Sequence, residues 1–113
     1  MNHDKVLNLI GLAQKAGKAL SGEFMTEKAV KTGTAALVVL AEDASGNTKK
    51  KFGNMCEFYG VPFRIYAAKD YLGHAMGKEL RASLAVTDEG LAQAIMKKMD
   101  EEVIGTYGKD ENI

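Results

Sequence analysis

Apolar and polar positions switch repeatedly along this chain between a helical and a strand-like spacing. From Asp4 to Lys15, Val6, Leu7, Leu9, Ile10, Leu12 and Ala13 cover a broad face of an amphipathic helix that reaches Ala16, and Gly17 is a natural stop. Lys18-Ala19-Leu20-Ser21 leaves room only for a short strand. Gly22 then opens a second helix, roughly Glu23 to Thr32, with Met25, Ala29 and Val30 on its inner side and Gly33 at its end. Ala35 to Ala41 is a continuous apolar run, too short for a buried helix and rich in branched residues. It predicts a central strand covered on both faces.

Ser45-Gly46-Asn47-Thr48 is a turn and cap cluster. It predicts a third helix from about Thr48 to Tyr59 that packs Phe52, Met55, Cys56 and Tyr59 inward and closes at Gly60. Val61-Pro62 breaks the chain, Phe63-Arg64-Ile65-Tyr66 predicts a strand, and Asp70 to Met76 a short helix ended by Gly77. Leu84-Ala85-Val86 predicts the last strand. Thr87 is the expected cap of a final helix carrying Leu91, Ile95, Met96, Met99 and Val103 inward, with Gly105 to Ile113 a polar, frayed tail. Helices alternating with short strands predict an α/β fold: a single three-layer α/β/α sandwich over residues 1–103 around a small mixed four-stranded sheet, with 104–113 as a flexible tail.

A length of 113 residues fits one core, and 46% hydrophobic with 27% charged residues is ordinary for a globular protein. No apolar run reaches the roughly 18 residues of a membrane span. The first residues lack the pattern of a signal peptide, and a lone cysteine, Cys56, leaves no internal disulfide. A cytoplasmic monomer is the expectation. Net charge is zero, but residues 1–98 hold 14 Lys and Arg against 10 Asp and Glu, and the segment from Met99 holds five acids against Lys109. A basic body with an acidic end is compatible with a nucleic-acid partner without requiring one.

Catalytic chemistry finds little support. Cys56 falls on an apolar helix side, His3 and His74 are isolated, and these residues give no metal-ligand spacing, so no catalytic residue, metal or cofactor is expected. Glu42-Asp43, at a strand end before a turn, reads as exposed carboxylates bonded to backbone amides. Gly11 to Lys18 imitates a phosphate-binding loop, but a helix precedes it and Ala19 stands where a metal-holding hydroxyl is needed. What remains is basic and helix-terminal. Gly17-Lys18 and Gly22 flank the entry to the second helix, whose free amides and dipole favour an anion. Lys28 and Lys31 follow on later turns, and Lys78 and Arg81 lie in the connection after Gly77.

Several short motifs, in order and at matching distances from about Lys5 to Ile95, carry a family likeness. They are Ala16-Gly17-Lys18 with Ser21-Gly22, Lys28-Ala29-Val30, Gly33, Ala36, Leu37-Val38-Val39-Leu40-Ala41-Glu42-Asp43, Cys56, Val61-Pro62, and Leu72-Gly73 with Ala75 and Gly77. In these the chain resembles the ribosomal L-seven-Ae and L-thirty-e group of kink-turn RNA-binding proteins, in its bacterial YlxQ-type branch. The resemblance implies the same α/β/α fold and a structured RNA partner, ribosomal or another kink-turn RNA, with the ribosome itself a candidate partner. It implies two RNA-facing segments: Gly17, Lys18, Ser21, Gly22, Glu23, Phe24, Met25 and Lys28 around the second helix, and Gly77, Lys78, Glu79, Leu80, Arg81, Ala82 and Ser83 after the fourth. RNAs of this kind are read by shape, backbone contacts and splayed bases, which amides and lysines suit.

One departure stands out. Archaeal and eukaryotic members carry Asn-Glu where this chain has Phe24-Met25, so the amide that would meet a base edge and the acid that often accompanies it are absent. Phe24 is left with two uses, stacking on a base or packing onto the core as a helix staple. That change and the neutral net charge leave a rival open, a protein-interaction module on the same fold. A small-molecule or enzymatic role would need convergent polar groups, for which no pattern is present.

Overall fold

A computed structural model describes the backbone of residues 4–111 and the side chains of residues 5–102. Its elements, in order, are α1 (Asp4–Lys15), β1 (Ala19–Ser21), α2 (Glu23–Lys31), β2 (Leu37–Leu40), α3 (Gly46–Tyr59), β3 (Phe63–Ile65), α4 (Lys69–Ala75), β4 (Ser83–Val86) and α5 (Glu89–Glu111). The strands form one sheet in the order β1-β4-β2-β3. β4 runs antiparallel to both β1 and β2, while β3 is parallel to β2.

The two central strands, β2 and β4, are fully buried at every position, which is why the run from Leu37 to Leu40 shows no alternation. Alternate residues feed two separate cores. Val38, Leu40 and Ala85 meet α2 and α3 through Ala29, Val30, Phe52 and Cys56. Leu37, Val39, Leu84 and Val86 meet α1, α4 and α5 through Val6, Ile10, Leu72, Ala92 and Ile95. The sandwich is therefore three layers deep, as the alternation of elements predicts. Each fully buried Leu, Val or Ile contributes about 1.5 to 3 kcal/mol relative to exposure.

The chain punctuation is largely where the sequence puts it. Ser45 caps α3, its Oγ accepting from the Thr48 amide at 3.1 Å, and Gly60 closes that helix in the left-handed conformation. Four details differ from expectation. On α2 it is Thr26, not Met25, that joins Ala29 and Val30 inside, and Met25 is exposed. Tyr59, in the last turn of α3, is also exposed. The first turn of α5 is capped by Asp88, whose Oδ2 accepts from the Leu91 amide at 2.8 Å, rather than by Thr87, whose own amide is spent on the Lys18 carbonyl. Finally, α5 continues in its backbone to Glu111, past Val103, the last residue that the apolar spacing assigns to that helix. The Val103 side chain and the last residues of that expected tail lie outside the described residues, as does His3.

Candidate nucleic-acid interface

Because β1, β2 and β3 all run the same way and β4 the opposite way, one end of the sheet collects four chain segments. The helices α2, α3 and α4 all begin there, so the positive ends of three helix dipoles face one side of the molecule. The connections at that end are fastened to one another by backbone bonds. Gly22 N donates to Ser83 O at 3.0 Å, Ala41 N to Ala82 O at 2.9 Å, and Arg81 N to Lys69 O at 3.1 Å. Asp43 accepts from the Lys69 amide at 2.9 Å, so this carboxylate serves a backbone amide 26 residues away.

The N-terminus of α2 depends on Gly22, whose φ of 96° and ψ of 156° lie in a region closed to residues with a Cβ. With no side-chain cap there, the first amides of α2 face outward. Phe24 is 73% exposed, so the staple role is excluded and its ring stands free beside them. Met25 and Leu80 are likewise exposed, at 40% and 58%.

Arg81 joins the two segments. Its Nε donates to Ser21 Oγ at 2.9 Å and its Nη1 to the Leu80 carbonyl at 2.8 Å, across 60 residues of chain in the first case. The connection that carries it is pressed onto α4 at Gly73, where a Cβ would come 2.6 Å from the Glu79 carbonyl carbon and 2.8 Å from the Leu80 nitrogen. Gly77 turns the chain out of α4 in the left-handed conformation, and Lys78 N returns to the Gly73 carbonyl at 2.7 Å. Lys78 and Glu79 are exposed, Ala82 is half-buried, and Ser83 is 2% exposed at the start of β4, where its carbonyl accepts from the Gly22 amide.

Other expected residues fall elsewhere. Gly17 and Lys18 precede β1, whereas Gly22 follows it, so they sit at opposite ends of that strand, about 13 Å apart at roughly 3.3 Å per residue. They do not flank the entry to α2 in space. Lys28 is exposed and, among the described residues, has no ion pair. Lys31 is engaged by Glu27 at 2.7 Å and lies at the far end of α2. The residue that sequence reading missed is Lys51 on α3, whose Nζ lies 2.8 Å from Glu23 and 2.9 Å from Glu27. Lys31 and then Lys51 hold the Glu27 carboxyl down at about 2, and the two glutamates raise the Lys51 ammonium above its ordinary value.

Cys56 is buried, and burial pushes its thiol up to about 11, as befits a core residue rather than a nucleophile. Among the described residues no three metal-ligating side chains come together, and no helix is long and apolar enough to cross a membrane.

A three-layer domain with these motifs defines a known class: the chain belongs to the ribosomal protein L7Ae/L30e/S12e/Gadd45 family, whose pattern matches residues 4–96. Its relatives are RNA-binding and ribosomal proteins, and like them it is not an enzyme. It is 42% identical over 92 residues to the RNA-binding protein YlxQ of Bacillus subtilis (strain 168), covering 81% of this chain and 92% of that one. Identity to the large ribosomal subunit protein eL8 of Cenarchaeum symbiosum (strain A) is 30% over 105 residues, covering 92% and 80%. Among solved structures, a Bacillus halodurans protein of unknown function superposes with a TM-score of 0.82 at 38% identity, covering 85% of this chain and 97% of that one. The Giardia lamblia 15.5kD RNA binding protein shares the fold, with a TM-score of 0.73 at 22% identity over 88% and 86% of the two chains.

Proposed function

We propose that this protein is a cytoplasmic, monomeric RNA-binding protein that recognises a structured RNA of the kink-turn type, in a ribosomal or another RNA. The N-terminus of α2 and the connection between α4 and β4 form the binding face. The observation that carries this reading is the Arg81–Ser21 hydrogen bond at 2.9 Å, which makes one continuous surface of two segments far apart in sequence. Exposed amides of α2 with Lys28 suit phosphates, and the free faces of Phe24 and Leu80 suit unstacked bases. The names carried by the relatives, RNA-binding and ribosomal, support the same reading.

The test is a titration of the purified protein into a labelled kink-turn RNA at low and moderate salt. The control is a duplex of equal length without the bulge, its G·A pairs replaced by Watson–Crick pairs. Binding to the first that is lost on the control supports shape recognition. Equal weak binding to both, or none, refutes it and favours a protein partner for the exposed Phe24, Met25 and Leu80.

A further inference from the structure

The proposed binding face contains a feature at odds with an RNA partner. Glu23 and Glu27 lie one turn apart on α2, on the flank that faces α3, and Glu23 sits in the first turn beside Phe24. A phosphate approaching the α2 amides would meet two carboxylates, and like charges brought together across an interface oppose association.

Lys51 answers that conflict. It comes from α3, 28 residues from Glu23, and its single ammonium bridges Glu23 Oε2 at 2.8 Å and Glu27 Oε1 at 2.9 Å. Glu27 has a second cation in Lys31 at 2.7 Å, whereas among the described residues Glu23 has Lys51 alone. The bridge is held in place from its own helix, because the neighbouring Phe52 is fully buried and anchors this turn of α3 against the sheet. No acid occurs on α3 before Glu57 to draw Lys51 away. Lys49 and Lys50, on the same turn, carry no ion pair among the described residues and add to the positive field.

We infer that Lys51 is a positioning residue for RNA binding: it holds the Glu23 and Glu27 carboxylates in neutralised pairs, so that the start of α2 presents its amides to phosphate without opposing charge. The inference rests on the RNA-binding reading above and adds to it a charge-compensating residue outside both expected segments.

The experiment measures affinity for the labelled kink-turn RNA at two salt concentrations. The proteins are the wild type, Lys51→Ala, Lys51→Arg, the double variant Glu23→Gln/Glu27→Gln, and that pair combined with Lys51→Ala. Lys51→Ala is expected to weaken binding about fivefold at low salt and less at high salt, as exposed charges are screened. Lys51→Arg keeps the charge and stays near wild type. The glutamine pair alone binds as well as wild type or tighter, and in its presence Lys51→Ala costs no more than about twofold, the tolerance for additive sites. A merely structural role for Lys51 would not be rescued by removing the two acids. Three results overturn the inference while leaving RNA binding intact: Lys51→Ala without effect, Lys51→Ala unrescued by the glutamines, or weakened binding by the glutamine pair alone. Failure of the wild type itself to bind the RNA overturns the underlying reading, and this one with it.

Discussion

Replacing Gly73 with alanine tests whether the α4–β4 connection is held by close backbone packing. Gly73 is buried in a seven-residue helix, and its missing Cβ is the space into which Glu79 and Leu80 fit. A methyl there would lie 2.6 Å from the Glu79 carbonyl carbon and 2.8 Å from the Leu80 nitrogen, about 1 Å inside contact distance. The loop has little room to retreat. Lys78 N is bonded to the Gly73 carbonyl, Arg81 N to the Lys69 carbonyl, and Arg81 Nε to Ser21 Oγ.

Overpacking of this kind costs about 1 to 3 kcal/mol, and the helix preference of alanine over glycine returns up to about 1 kcal/mol. A net loss of about 1 to 2 kcal/mol should lower Tm by about 5 to 10 °C in a domain of this size. Thermal melts followed by circular dichroism give the first readout, and hydrogen exchange at the Lys78 and Arg81 amides gives the second, since both bonds loosen if the loop moves. RNA affinity should fall as well, because a displaced Arg81 gives up Ser21. A variant that melts at or above the wild-type temperature with both amides still protected would refute the packing argument.

Four further outcomes are expected. Phe24→Ala should leave Tm almost unchanged, since the ring is 73% exposed, while RNA binding falls by about 1 to 3 kcal/mol, the range for one stacked base; an unaltered titration curve would remove Phe24 from the interface. Lys28→Ala and Arg81→Ala should each weaken binding and lower the slope of log K against log salt by about 0.7 to 0.9, which affinities at four salt concentrations would reveal. Thr26 is fully buried and its hydroxyl has no hydrogen-bond partner among the described residues, so Thr26→Val should be neutral or stabilising by about 1 kcal/mol in urea denaturation; a clear loss would point to a partner for that oxygen. Lys31 and Lys51 depress the Glu27 carboxyl from 4.5 to about 2, so the stability it contributes is complete above pH 4.5 and is lost as pH falls toward 2. Glu27→Gln should flatten that part of the acid-unfolding profile, slightly because the pair is solvent-exposed, and an unchanged profile would contradict the assignment.

Much of the fold was legible along the chain because its signals are local. The apolar run at Leu37 to Leu40, the Ser45 cap, and the glycines that close helices each act within a turn or two, so sequence spacing alone exposes them. The candidate site was legible in part: Gly22, Phe24, Lys28 and Arg81 could be picked out as helix-terminal, aromatic or basic residues. Their mutual arrangement could not. Whether Phe24 stacks inward or stands free is decided by the angle at which α2 leaves Gly22 and by what lies beneath it, and neither is encoded within the helix itself. Gly17-Lys18 and Gly22 are close in sequence yet sit at opposite ends of β1, because a strand separates its ends by full extension.

By itself, then, the sequence determined the kinds and order of elements, the two-sided burial of the central strand and the membership of the family, since these follow from periodicity, caps and short motifs. Tertiary structure alone decided the strand order β1-β4-β2-β3, the gathering of three helix N-termini at one end, the Arg81–Ser21 bond across 60 residues and the Lys51 bridge across 28. The physical reason is range: backbone propensity and hydrophobic period act over a few residues, whereas a hydrogen bond or ion pair forms wherever packing brings its two ends within about 3 Å.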